Sequence, residues 1–181
     1  MVGWFRILHA AGLLRCPGPR SPGGARVIFV SSEDASSLRR LNVTPYSILD
    51  YGNAVVGCDF RGKAHQPHTQ RCNELFCKFA TTAMKRYSRR RGEPPVIWEL
   101  WNEPNTQSFW GPHGNASEYA QLATALHSAR ATSGLLNSSE HILAGPAVAG
   151  FGTNWTWAYL TALSSLGALA TFDAISVHSY R

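Results

Sequence analysis

The order of apolar runs predicts an α/β chain built on a parallel sheet. Three observations carry that expectation. Short β-branched and aromatic runs alternate with stretches of helical periodicity, Gly and Pro punctuate the joins, and several runs end abruptly in polar residues. Strand, helix, strand repeats of this kind join parallel strands through right-handed crossovers. In such folds chemistry is placed at the carboxyl ends of the strands.

Residues 1–24 are expected to be irregular or disordered and residues 25–181 to form the domain. Arg6 and His9 interrupt the apolar bias of the first stretch, which makes it a poor secretory signal. Pro and Gly dominate from Cys16 to Gly24. Residues 25–30 read as a first strand, and Ser31, Ser32, Glu33 and Asp34 suit the start of a brief helix reaching Leu41. Residues 43–49 read as a second strand, with Pro45 near its start, where a missing donor is tolerated. It closes on Asp50-Tyr-Gly-Asn53, which makes Asp50 and Asn53 candidates for lining a cleft, while an Asx turn fits Asp50 and Gly52 equally well. Residues 54–70 read as a long loop of the kind that shapes a site.

From 71 to 91 the residues Phe76, Phe79, Ala80, Ala83 and Tyr87 recur at helical steps. Lys85, Arg86, Arg89, Arg90 and Arg91 gather at the carboxyl end, where positive charge complements the helix dipole. That explanation is preferred to a nucleic-acid patch, so no nucleic-acid partner is expected. Residues 96–105 are the centre of the chain. Val96, Ile97, Trp98, Leu100 and Trp101 read as a buried strand, and Pro104 forces it to end, presenting Asn102 and Glu103 at the carboxyl end. A carboxyl walled by indole rings is poorly solvated as an anion, which suits a proton donor, and the neighbouring amide can both donate and accept hydrogen bonds.

A loop with Phe109 and Trp110 follows, and Trp110 fits either an exposed ring that stacks on a ligand or a lid on the core. Asn115 and Glu118 resemble a capping box for a helix with Tyr119, Leu122, Ala123, Leu126 and Ala129 on one face, stopped by Gly134. Residues 141–146 read as a short strand giving way to a Gly and Pro rich turn. Asn154 can cap a helix carrying Trp155, Ala158, Tyr159, Ala162, Leu163 and Leu166. Residues 172–177 form the last strand, followed by His178 and Tyr180.

The run Trp98-Glu-Leu-Trp-Asn-Glu-Pro-Asn105 resembles the fourth-strand motif of retaining glycoside hydrolases built on a TIM barrel, the clan of cellulases, β-xylosidases and α-L-iduronidase. The resemblance implies that Glu103 is the general acid/base and that Asn102 contacts the sugar 2-hydroxyl. Leu49-Asp-Tyr-Gly-Asn53 is similar to the third-strand ending of β-xylosidase relatives, and Val177-His-Ser-Tyr180 to the sixth-strand ending, whose residues flank substrate. The expected fold is therefore a partial (β/α)8 TIM barrel covering about strands three to six, and the substrate an oligosaccharide or glycoside. No cofactor is implied.

A complete barrel needs about 250 residues and this chain has 181. A retaining mechanism needs two carboxyl groups about 5 to 5.5 Å apart. The clan takes its nucleophile from strand seven, and the chain stops after the equivalent of strand six, so a fragment inactive by itself is expected. Glu99 is roughly 13 Å from Glu103 along an extended strand, too far to serve. The formal charge of +6 sits mainly in the first forty residues and at 85–91, and no apolar run is long enough for a membrane span. Sequons at Asn42, Asn115, Asn137 and Asn154 favour a secreted or lysosomal or vacuolar lumenal location. Cys16, Cys58, Cys72 and Cys77 lack metal-type spacing, and a zinc cluster of His65, His68 and Cys72 is the less favoured alternative. The competing functional class is a noncatalytic carbohydrate-binding or scaffold protein.

Overall fold

Alternation along one strand sets the layers. In β3 (Val96–Leu100), Val96, Trp98 and Leu100 enter the main apolar core, and Ile97 and Glu99 take the opposite face. A computed structural model describes residues 5–7 (backbone), 46–50, 58, 66–67, 69–89, 91–111, 115–150 and 154–179. The expected strand at 25–30, the helix at 31–41, Cys16 and most of the loop at 54–70 lie outside these residues.

The sheet runs in simple sequential order through β1 (Phe5–Ile7), β2 (Tyr46–Leu49), β3, β4 (His141–Ala149) and β5 (Ala174–His178). β2 to β5 are parallel, joined by α1 (Gln70–Arg86), α2 (Ala116–Thr132) and α3 (Asn154–Ser165). The chain is thus α/β, with four parallel strands and three helices among the described residues. Every crossover steps the same way, and right-handed crossovers then stack all three helices on one face, where α2 packs against both α1 and α3. No described helix is long and apolar enough to cross a membrane.

β1 differs from the irregular chain expected at 1–24, since it pairs antiparallel with β2 from Phe5↔Leu49 to Ile7↔Ser47. Edge pairing uses only backbone groups, so the weak side-chain pattern there gave no sign of it.

The helices begin and end where local chemistry dictates. Thr69 Oγ1 accepts from Cys72 N at 3.1 Å and caps α1. The helix stops at Arg86 rather than 91 because Ser88 Oγ turns back to the carbonyls of Met84 and Lys85. Arg89 Nη1 then holds Glu93 O at 2.7 Å, so part of the basic cluster braces a turn. Asn115 caps α2 as expected, accepting from Ser117 N and Glu118 N. Glu118 does not complete a box with it and instead accepts from Gln66 Nε2 at 3.1 Å. Gly134, at φ 69°, stops the helix as Leu135 N bonds back to Arg130 O. In α3 only Tyr159 and Leu163 are buried, and Leu166 lies exposed past its end.

β4 is longer than expected. It passes through Gly145 and Pro146 to Ala149 by means of a bulge at Ala147, which is where a strand tolerates proline. Gly145 is required there, since a Cβ would overlap the Phe172 ring. Beneath the sheet, buried Arg130 donates to Asp173 Oδ2 at 2.8 Å, and the same oxygen accepts from Leu143 N. A disulfide links Cys58 to Cys72, which removes Cys72 as a thiolate ligand, and Cys77 is a buried free thiol pushed up to about 12, chiefly by burial. Among the described residues no group of His, Cys, Asp and Glu could hold a metal.

His141 gives the fold a pH signature. Its Nδ1 accepts from Trp98 Nε1 at 3.2 Å, and burial, aided by Arg130 and opposed by Glu140, lowers its proton affinity. The unfolded chain therefore binds the extra proton below about pH 6.5, so stability is full above that value and declines as pH falls through it. Denaturant titrations from pH 7 to 5 are expected to show a slope of up to about 1.4 kcal/mol per pH unit from this residue, flattened in His141→Asn. An unchanged slope in the variant would refute the assignment.

Candidate active site

The site is made by how the chain leaves β3. Trp101 N still bonds to Leu49 O at 2.8 Å, but the carbonyl of Leu100 is taken by Tyr119 Oη of α2 at 2.7 Å. The ladder ends there and the backbone turns through left-handed conformations at Trp101 (φ 62°) and Glu103 (φ 45°). Such conformations cost roughly 1–3 kcal/mol each in non-glycine residues and persist only when their surroundings enforce them. The Trp101 ring is enclosed by Phe76 and Trp110, with centroids at 5.9 and 5.2 Å, and its Nε1 donates to Phe109 O at 2.6 Å.

The following residues are clamped to β4. Glu103 N donates to Ala147 O at 3.1 Å, and Asn105 bonds twice to Ala149, from Nδ2 to its carbonyl at 3.0 Å and through Oδ1 from its N–H at 2.9 Å. Thr106 bonds to Glu103 O through both its N–H and its hydroxyl. The bulge at Ala147, itself at φ 56°, supplies this anchor, and its N–H donates to Ser176 Oγ on β5 at 3.1 Å.

Held in this way, Glu103 meets His178 at the end of β5. Its Oε1 lies 3.0 Å from His178 Nδ1. On the opposite side of the ring, Nε2 is 3.3 Å from both carboxyl oxygens of Glu99. Tyr46 Oη, from the start of β2, donates to Glu99 Oε1 at 2.5 Å. Burial first, and then Glu99, push the Tyr46 phenol upward, so it stays a donor. The result is a continuous line, Tyr46, Glu99, His178, Glu103, across the face of the sheet turned away from the helices.

This geometry corrects the 13 Å separation expected between Glu99 and Glu103. The two carboxyl groups sit against different nitrogens of one imidazole, separated by that ring and its contacts of 3.0 and 3.3 Å. The extended-strand estimate failed because the chain is no longer extended after Leu100. Imidazole fills the gap, so no space for a sugar exists between this pair.

The other candidates divide. Asn102 is half-buried beside Glu103, and the Glu103 side chain is 8% exposed against 21% for His178, so the line opens at that end and is sealed at Glu99. Asp50 is buried at the end of β2. Trp110 is fully buried, packed edge-on against Trp101 and Tyr119, so it is core and not a stacking platform. Asn53 and Tyr180, like His65 and His68, lie outside the described residues. Tyr46 and Glu99 were not foreseen as site residues. The available signal was Glu99 itself, an acid in the middle of an otherwise apolar strand.

In comparisons with known proteins, no family model matches the chain and no curated protein is significantly similar to it.

The clamp is testable apart from any activity. Asn105→Ala removes two hydrogen bonds from the Ala149 backbone and should cost about 1–3 kcal/mol in denaturant unfolding. A change below a few tenths of a kcal/mol would mean that the turn holds without it.

Proposed function

We propose that the chain carries the acid/base part of a retaining glycoside hydrolase site, with Glu103 as the proton donor. The observation that carries this reading is the position of Glu103. It is a carboxyl at the carboxyl end of a parallel strand, fixed in a left-handed turn, and paired with the His at the matching end of β5. The motif around it resembles the fourth-strand motif of that clan, and His178 matches the sixth-strand ending.

The barrel reading draws support from sheet order. Four parallel strands in sequence, with helices stacked on one face, are what strands three to six of a (β/α)8 barrel form, whereas doubly wound sheets reverse their order. The antiparallel β1 departs from the all-parallel arrangement of such a barrel. The Cys58–Cys72 disulfide, with exposed sequon residues Asn115, Asn137 and Asn154, supports a secreted or lumenal location. Trp110, one ring considered for stacking on a sugar, is buried, and Arg89 of the basic cluster donates to Glu93 O.

In the double displacement, Glu103 gives its proton to the departing glycosidic oxygen while a nucleophile attacks the anomeric carbon. Among the described residues the other carboxylate of the cluster, Glu99, lies behind His178 and cannot reach that carbon. An added anion can take its place. With aryl glycosides of pentoses, hexoses and uronic acids, the chain is expected to show no turnover alone and azide-dependent aryl release with formation of a glycosyl azide. For poor leaving groups, Glu103→Gln should slow that release about 10²- to 10⁴-fold. Absence of azide-dependent release across the panel, or equal rates in the variant, would overturn the reading.

A further inference from the structure

We propose that Tyr46, Glu99 and His178 form a positioning relay that keeps a hydrogen on His178 Nε2 and turns Nδ1 toward Glu103, so that His178 and Glu103 share a single proton. The catalytic meaning of the relay rests on the glycosidase reading, but the relay itself does not.

Hydrogen-bond bookkeeping leads to this assignment. Glu99 is fully buried on an otherwise apolar strand, and burying a carboxylate is costly unless donors surround it. Tyr46 Oη supplies one donor, at 2.5 Å from Oε1. The second is His178 Nε2, which stands at the same distance, 3.3 Å, from both oxygens. That symmetry fits an N–H directed at an ionised carboxylate, which only accepts. A protonated Glu99 donating to Nε2 would bring one oxygen clearly nearer.

With Nε2 committed as a donor, the state of Nδ1 is tied to Glu103. When His178 is neutral, Nδ1 offers a lone pair, and the contact of 3.0 Å is a hydrogen bond only if Glu103 carries the proton on Oε1. When the proton crosses to Nδ1, His178 is a cation that donates to a Glu103 carboxylate. One proton therefore lies between the two atoms in either state. Its transfer to a glycosidic oxygen, as the bond from that oxygen to the anomeric carbon breaks and the electron pair stays on oxygen, leaves two acceptors facing each other. That unfavourable contact draws a proton back from water at the exposed edge of His178. The groups facing the ring among the described residues are Glu99 from β3, Glu103 from the turn after it and, through Glu99, Tyr46 from β2.

The test is a long-range 1H–15N correlation spectrum of the imidazole nitrogens in the folded 15N-labelled chain at neutral pH, with His178 assigned by its loss in His178→Asn. Nε2 of His178 is expected to carry hydrogen. In Glu99→Leu, where the buried acceptor is gone, the ratio of Nε2–H to Nδ1–H forms should fall at least tenfold, while Tyr46→Phe, which keeps the acceptor, should leave Nε2 protonated. A bare Nε2 in the unaltered chain overturns the proposal, and that measurement stands even where Glu99→Leu fails to fold. An unchanged ratio in a folded Glu99→Leu also overturns it. A protonated Nε2 together with failure of azide-dependent cleavage would retain the relay and remove the glycosidase reading.

Discussion

Where β3 stops hydrogen-bonding to its neighbours decides where the Glu103 carboxyl goes. The carbonyl of Leu100 would ordinarily continue the ladder, but the buried Tyr119 hydroxyl takes it. That one bond ties the first turn of α2 to the end of a strand in the middle of the sheet. It also frees the next residues to turn into left-handed conformations that no ladder could accommodate. Tyr119 is in turn fixed by aromatic neighbours from three segments, Trp110, Trp155 with Tyr159, and Phe172. Packing of the helical layer and position of the carboxyl are therefore one problem with one solution.

Beyond the turn, the structure spends polar groups on rigidity. Glu103 N–H, Ala147 and Ser176 make a hydrogen-bonded bridge from the turn through the β4 bulge to β5, with Asn105 holding Ala149 beside it, which brings Glu103 and His178 into the same frame. Two carboxylates and a phenol around one imidazole would be a liability in an ordinary core. Here each donor meets an acceptor, and the line grades from a sealed end at Glu99 to a partly open end at His178.

How much of this was legible in the sequence follows from which interactions are local. The strand at 96–100, the helix caps at Asn115 and Gly134, and the candidacy of Glu103 and His178 depend on patterns spanning a few residues, and the structure brings the latter two into contact. The roles of Tyr46 and Glu99 and the pairing of Phe5–Ile7 with β2 depend on partners 40 or more residues away, or on backbone groups that no side chain advertises, and the burial of Trp110 depends on the turn and helix start that fold Trp101 and Tyr119 around it. The separation of Glu99 from Glu103 was misjudged for a related reason. Proline at position 104 announced the end of the strand, but not that the chain would fold the next carboxyl back toward the same ring. Similarly, the β4 extension through Pro146 required a bulge whose use as an anchor for Glu103 is visible only in three dimensions.

If Glu103 is the proton donor proposed above, its carboxyl faces a place where a sugar can sit. Affinity labelling tests it directly. The folded chain is treated with a set of N-bromoacetyl glycosylamines, whose electrophilic carbon alkylates a carboxylate beside a bound sugar, and the modified residue is located by peptide mass mapping. A single adduct is expected on Glu103, suppressed by excess unreactive glycoside and lost in Glu103→Gln. Alkylation confined to other residues, with Glu103 untouched across the set, would contradict it.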